Sequence, residues 1–331
     1  MSSFGQYTTA QEVADRFASD CKGKTILVTG ANSGIGYETT KALASHGATV
    51  ILACRSASKA SKAVESILSD YPDAKLSVML LDLASLDSIR AFAIAFEELH
   101  SRLDVLLNNA GLLHPTREFT KDGFEMSFGV NHLGPFYLTR LLLQLLKKSG
   151  SPTNPSRVVN VASIAPYLLL SSNEGVYFDD VRSCPAEGYS KWRRYASSKL
   201  ANVLFSRALN RKMMQESGGA VVSVSVHPGL IPFTQMGLAG ITSATSIFQG
   251  LWVLGWARLS SLWNYFIWGN DVYFKSIEQG ASTSVMAAID PGIVGGLHYQ
   301  DCQISKWLHE TASSDEAAAR LWDISSKLVG L

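Results

Sequence analysis

Tyr195 and Lys199 lie four residues apart in YASSKLANVLFSRAL, a run of helical period, so both side chains emerge on one face of a helix. A free phenol titrates near pH ~10, too high for an efficient base at neutrality, and a neighbouring ammonium favours its phenolate. The spacing therefore suits a proton-transferring tyrosine tuned by a lysine. Taken alone, the pattern is common and describes an interfacial tyrosine beside a surface lysine equally well. Its company gives it weight: Asn108-Asn109-Ala110-Gly111, Asn160-Val161-Ala162-Ser163 and His227-Pro228-Gly229 each close a strand-like run. Asn, Ser and Gly also form turns and caps, but turn chemistry does not predict this joint order.

A second chemistry begins at Gly30-Ala31-Asn32-Ser33-Gly34-Ile35-Gly36, which follows directly on the apolar run Thr25–Thr29 and opens a helical one. Missing side chains there let backbone N–H groups approach a pyrophosphate at a helix N-terminus. A purely structural turn is the alternative, and the placement between first strand and first helix argues against it. At the end of the second strand, an acidic residue would hold a ribose 2′-hydroxyl. The sequence instead reads Ala53-Cys54-Arg55-Ser56, with Lys59 close behind. A guanidinium pairs with a 2′-phosphate in forked geometry, so the expected cofactor is NADP(H). A solvated surface arginine is the other reading of Arg55.

The elements that must position these groups alternate. Strand candidates fall at 25–29, 49–54, 76–80, 105–107, 157–161 and 221–226, with a weaker seventh at 297–300; helices are expected between them, at 35–46 among others, and at the C-terminus. Such alternation indicates βαβ crossovers. The expected fold is α/β: one Rossmann-type doubly wound parallel sheet of about seven strands in a single domain spanning the chain. Residues 1–20 read as a polar leader and 231–276 as an aromatic insertion near the substrate site.

With these motifs in place, the chain resembles the short-chain dehydrogenases/reductases over roughly 20–300, and within them the retinol-dehydrogenase-like subgroup and related fungal reductases. The matching motifs are TGANSGIG, Asp82-Leu83, NNAG, Asn131, Ser163, Tyr195/Lys199 and Pro228-Gly229. The resemblance implies a tetrad: Tyr195 as general acid/base, Ser163 on the reacting oxygen, Lys199 holding the nicotinamide ribose and lowering the tyrosine pKa, and Asn131 positioning a relay water. It also implies that Asp82 contacts the adenine and Asn109 lines the cofactor groove, with Leu83, Ala110 and Gly111 beside them as cofactor-binding residues, and that the backbone near Ile231 meets the carboxamide. Two features depart from the pattern. Ser163 and Tyr195 are separated by a long excursion, and Thr234 falls one residue late for its cofactor contact.

The expected substrate is a small apolar carbonyl or alcohol, with fungal specialised metabolism as the setting the resemblance implies. Other chemistries on this scaffold are epimerisation or dehydration with retained cofactor, and catalytically silent NADP(H)-responsive binding. Within 247–268, Trp252, Trp256, Leu259, Trp263 and Phe266 recur at helical spacing. Packing against the domain or a homodimer partner, a substrate lid, and last a membrane contact are the readings of that face. A formal charge of +1 with scattered Lys and Arg gives no basic stripe for nucleic acid. Four dispersed cysteines without a Cys-x-x-Cys pair point away from a metal site or disulfide framework, and the N-terminus reads without a secretory signal; a reducing, cytoplasmic setting is expected.

Overall fold

The structure, a computed structural model, describes residues 4–172, 174–178, 180–231 and 274–331. Eight strands form one sheet in the order β3-β2-β1-β4-β5-β6-β7-β8. They are β1 (Thr25–Thr29), β2 (Thr49–Cys54), β3 (Lys75–Leu80), β4 (Val105–Asn108), β5 (Ser156–Val161), β6 (Val221–His227), β7 (His298–Gln300) and β8 (Gln303–Ile304). All neighbours pair in parallel except β7 and β8. The eighth, antiparallel strand was not expected: two residues carry no periodicity, and only the turn at Asp301-Cys302 creates it.

The central strands are apolar almost without break because helices cover both faces. Alternation still sorts their side chains. Leu27, Ile51, Leu106 and Val158 enter one core with Phe96, Phe136, Leu200, Phe205 and Trp322. Their neighbours Ile26, Val28, Val50, Leu52, Leu107 and Val159 enter the other with Ala281, Val285 and Ala287.

The segment read as a leader is part of the fold. Helix Ala10–Arg16 begins at a capping box in which Thr9 and Glu12 bond reciprocally, and buries Ala10, Val13 and Ala14. It packs on helices Gly34–Ala44 and Ile277–Ile289. The Thr-x-x-Glu signature was legible in the sequence; the short, polar surroundings hid it.

Order reverses between β1 and β4, and that switch point is where open α/β sheets hold ligands. A buried amide chain braces it. Asn108 Nδ2 donates to Asn160 Oδ1 at 2.9 Å and to Thr139 Oγ1 at 3.0 Å, and Asn160 Nδ2 donates to Ser206 Oγ at 2.9 Å on the long helix Lys191–Ser217. These bonds tie the ends of β4 and β5 to the helix that carries Tyr195. Replacing Asn160 with Val should strand Asn108 and Ser206 and lower stability by about 1–3 kcal/mol, read as an earlier urea midpoint with an unchanged slope.

Candidate active site

β1 runs into a turn with Gly30 at φ +65° and Gly34 at +56°, and helix Gly34–Ala44 starts there. Ser33, at the N-cap, makes no side-chain bond to the helix, so its first N–H groups are left without a side-chain cap. Gly36 is required by close approach: a Cβ there would lie 2.4 Å from Asn109 Nδ2 and from the Gly30 carbonyl oxygen. Asn109 holds the turn from the other side of the switch point. Its Nδ2 donates to the Thr29 carbonyl at 2.8 Å, while Thr29 Oγ1 accepts the Asn109 and Ala110 N–H groups, each at 3.0 Å.

A cavity of about 1020 Å³ opens along the carboxyl ends of the strands. From Gly30 through Gly36, all but Ala31 line it, with Asn109, Ala110 and Gly111 from the end of β4. Arg55, Ser56 and Lys59 line it after β2; Arg55 and Lys59 are exposed, and Arg55 has no ion-pair partner among the described residues. Ser56 instead accepts the Lys59 N–H and caps helix Ala57–Asp70. Ser163, Tyr195 and Lys199 line the cavity near β5, and Pro228, Gly229, Leu230 and Ile231 follow β6. Sheet order thus sets the basic groups at β2 and the Ser163, Tyr195 and Lys199 side chains near β5 about 14 Å apart, three strand spacings.

Two expected cofactor residues are not among those lining the cavity. Asp82 and Leu83 are not in the lining: Asp82 Oδ1 accepts the Ala84 N–H at 3.0 Å, and Leu83 is buried against Gly134. Asp82 thereby closes its own turn. Thr234 and the aromatic run 247–268 fall outside the described residues.

Lys199 is 2% exposed, and its ammonium donates to the Val161 carbonyl at 2.8 Å. Burial lowers its pKa to about 8. Tyr195, partly buried on the same helix face, is pushed up to about 12 by burial, which outweighs a hydrogen bond with Ser163 that lowers it. The expected lowering by Lys199 is not found in the protein alone. The ammonium lies 5.8 Å from the phenol ring centroid, with Val161 as its acceptor, and dehydration disfavours both charged forms. Tyr195 is therefore a neutral phenol at physiological pH.

Asn131 lies in a π-turn, Gly129–Leu133, and is fully buried. Its side-chain amide is committed to protein: Oδ1 accepts the Leu112 N–H at 2.7 Å, and Nδ2 donates to the Leu112 carbonyl and to Ser198 Oγ, both at 2.9 Å. The side chain acts as a clamp between the segment after β4 and the Tyr195 helix, so any water it positions must meet a group other than the Nδ2 hydrogens.

The excursion between Ser163 and Tyr195 is bound back onto the helix that carries Tyr195. Tyr177 N–H donates to Ser197 Oγ at 3.0 Å, Arg194 pairs with Asp180 at 2.5 Å, and Arg193 pairs with Glu174 at 3.0 Å. It also yields an apolar wall of Ile164, Leu168 and Leu169, faced by Trp192. Trp192 was missed, although it precedes Tyr195 by three residues and so shares its helix face. His227, read only as a strand end, is buried in the lining and held well below the usual histidine pKa, first by burial and then by His298, Lys275 and Lys199. It is a neutral imidazole.

The sequence model described as short chain dehydrogenase matches residues 24–174. Retinol dehydrogenase 11 of Homo sapiens is 39% identical over 311 residues, covering 93% of this chain and 86% of that protein. Short-chain dehydrogenase TIC 32 B, chloroplastic, of Brassica napus is 37% identical over 334 residues, covering 99% and 95%. Among solved structures, an uncharacterized protein from Mycobacterium Paratuberculosis superposes with a TM-score of 0.68 at 29% identity, covering 95% of this chain and 97% of that one. The Pseudomonas aeruginosa RhlG/NADP active-site complex gives 0.61 at 26% identity, covering 84% and 94%.

The two shifted pKa values predict a pH signature. With Lys199 near 8 folded and 10.5 unfolded, the unfolded chain binds the extra proton between them, so stability rises with pH across that window. Tyr195, raised from 10.0 to about 12, makes stability fall over the next interval. Lys199→Met should stabilise the protein by about 1–3 kcal/mol at pH 7 and flatten the rise between pH 8 and 10.5, since Asn202 still bonds the Val161 carbonyl. Urea unfolding across pH would read both; an unaltered profile would contradict the buried-ammonium account.

Proposed function

The chain belongs to the short-chain dehydrogenase family, and from that membership we propose that it is an NADP(H)-dependent oxidoreductase moving hydride between nicotinamide and the carbonyl or secondary alcohol of a small apolar substrate. The observation that carries the reading is the continuity of one cavity from the uncapped glycine-turn helix to Tyr195, Ser163 and Lys199. The backbone of 30–36 would hold the pyrophosphate, and Asn109 to Gly111 the middle of the groove. Arg55 and Lys59, with no carboxylate beside them in the lining, would hold a 2′-phosphate. The NADP complex of the 26%-identical Pseudomonas aeruginosa structure supports that preference.

When bound, the nicotinamide supplies the hydride. In the reducing direction, Tyr195 gives its phenolic proton to the substrate oxygen as negative charge develops there, and Ser163 donates a hydrogen bond to the same oxygen. Dehydration keeps the phenol protonated until that moment. Lys199, fixed on Val161, offers its remaining N–H bonds to the groove and supplies the positive charge that eases the phenolate which follows. In the reverse direction the same phenolate takes the alcohol proton. The wall of Ile164, Leu168, Leu169 and Trp192 favours an apolar substrate, in keeping with relatives named for retinol.

Two measurements test the reading. Tyr195→Phe should cut carbonyl-dependent NADPH oxidation by about 10²–10⁴-fold while NADPH affinity stays near wild type. Arg55→Ala should raise the KM for NADPH by about 10–100-fold and leave that for NADH nearly unchanged. A Tyr195→Phe enzyme of undiminished rate would reject the mechanism; equal responses to NADPH and NADH would reject the cofactor preference.

A further inference from the structure

Behind the wall that follows β6 lies an ion pair that the proposed chemistry does not use. The Lys275 side chain is 1% exposed, and its Nζ stands 2.5 Å from Asp301 Oδ1. The contact is ionic and lacks hydrogen-bond angles; neither atom has a hydrogen-bond partner. A buried pair of this kind contributes little net stability, because dehydrating both charges offsets their attraction, but it does fix where the two chains sit.

Two further contacts of Lys275 bear on the cavity wall. Its backbone N–H donates to the Leu230 carbonyl at 2.9 Å, next to an isolated parallel bridge between Leu230 and Phe274. Its stem lies over Gly229, where φ is +92° and a Cβ would stand 2.6 Å from Lys275 Cδ. No L side chain fits both that dihedral and that contact. Gly229, Leu230 and Ile231 line the cavity directly. They adjoin Ser163, because β5 and β6 are paired and the Ala162 N–H donates to the Val226 carbonyl at 2.8 Å.

The carboxylate is presented from a strained position. Asp301 and Cys302 have φ of 55° and 58°, the left-handed region that non-glycine residues seldom occupy, and they form the two-residue turn between β7 and β8. Thr283 Oγ1 accepts the Cys302 N–H at 3.2 Å, and Gln300 Nε2 donates to Asp301 Oδ2 at 3.2 Å. Such backbone persists only where its surroundings over-determine it, and here it aims a carboxylate at Lys275.

We infer that Lys275, anchored by Asp301, is a positioning residue that sets the Gly229–Ile231 backbone at the nicotinamide end of the cavity. The inference rests on the reading that this cavity holds NADP(H). It separates the two ends of the cofactor: the ribose phosphate is met near β2, four strands away from β6 in sheet order, and does not depend on the pair.

Two probes divide those ends. NADPH carries the nicotinamide; 2′,5′-ADP carries only the phosphorylated adenosine. In Lys275→Met, NADPH should bind about tenfold more weakly and its nicotinamide fluorescence should be less enhanced, while the 2′,5′-ADP Kd stays within about twofold of wild type. If the unpaired Asp301 prevents that variant from folding, Lys275→Met with Asp301→Asn removes both charges and takes the same readings. Parallel weakening of both probes, or no change in either, would mean a structural ion pair only. Wild-type protein that binds neither probe would overturn the cofactor reading and this inference together.

Discussion

An ammonium taken out of water is costly unless a dipole receives it, and the site is organised around one such group. Lys199 has the Val161 carbonyl as its acceptor at the carboxyl end of β5, an oxygen left without a ladder partner because the strand stops there. Around it, the Asn108–Asn160–Ser206 chain fastens the Lys199 helix to two strand ends, and Asn131 clamps the same helix to the segment after β4. Each bond is ordinary in strength. Together they hold a phenol and an ammonium in a dehydrated pocket where neither ionises at its usual pH.

The consequence for chemistry is a division between resting and reacting states. In the protein alone, burial dominates both pKa values, so the stored form is a neutral phenol and a lysine that holds its proton weakly. A developing oxyanion changes that balance, because the same low polarity that penalises an isolated charge strengthens its attraction to a neighbouring opposite one. In the proposed reaction, keeping the proton until charge appears would be a property of the cavity as much as of Tyr195.

Sheet order gives the site its direction. Crossing from β2 through β1, β4 and β5 to β6 passes from basic side chains to the glycine turn, to Asn109, Ala110 and Gly111, to Ser163, Tyr195 and Lys199, and then to the wall beside Lys275. The excursion before the Tyr195 helix and the β7–β8 turn add apolar and ionic support at the Tyr195 end only, which leaves the glycine-turn end to be built from backbone.

Strand positions, the glycine turn, Tyr195 with Lys199, and the absence of a carboxylate after Arg55 were all legible in the residues, because each is written in local period or in groups whose chemistry is intrinsic. The Thr9–Glu12 helix start was written there as well, though in a segment too short and polar to stand out. Pairings distant in sequence were not legible: Asn108 with Asn160 and Ser206, Asn131 with Leu112, and Lys275 with Asp301 carry no periodic signal, since any of these residues could equally face solvent. Asp82 was assigned to adenine by resemblance; that its Oδ1 also closes a turn on the Ala84 N–H was visible only in the folded chain. The sign of the Tyr195 shift also belonged to the tertiary structure. Spacing placed an ammonium on the same helix face, but only packing decided that dehydration would outweigh it, because a charge's influence depends on the medium and on which atom it already holds.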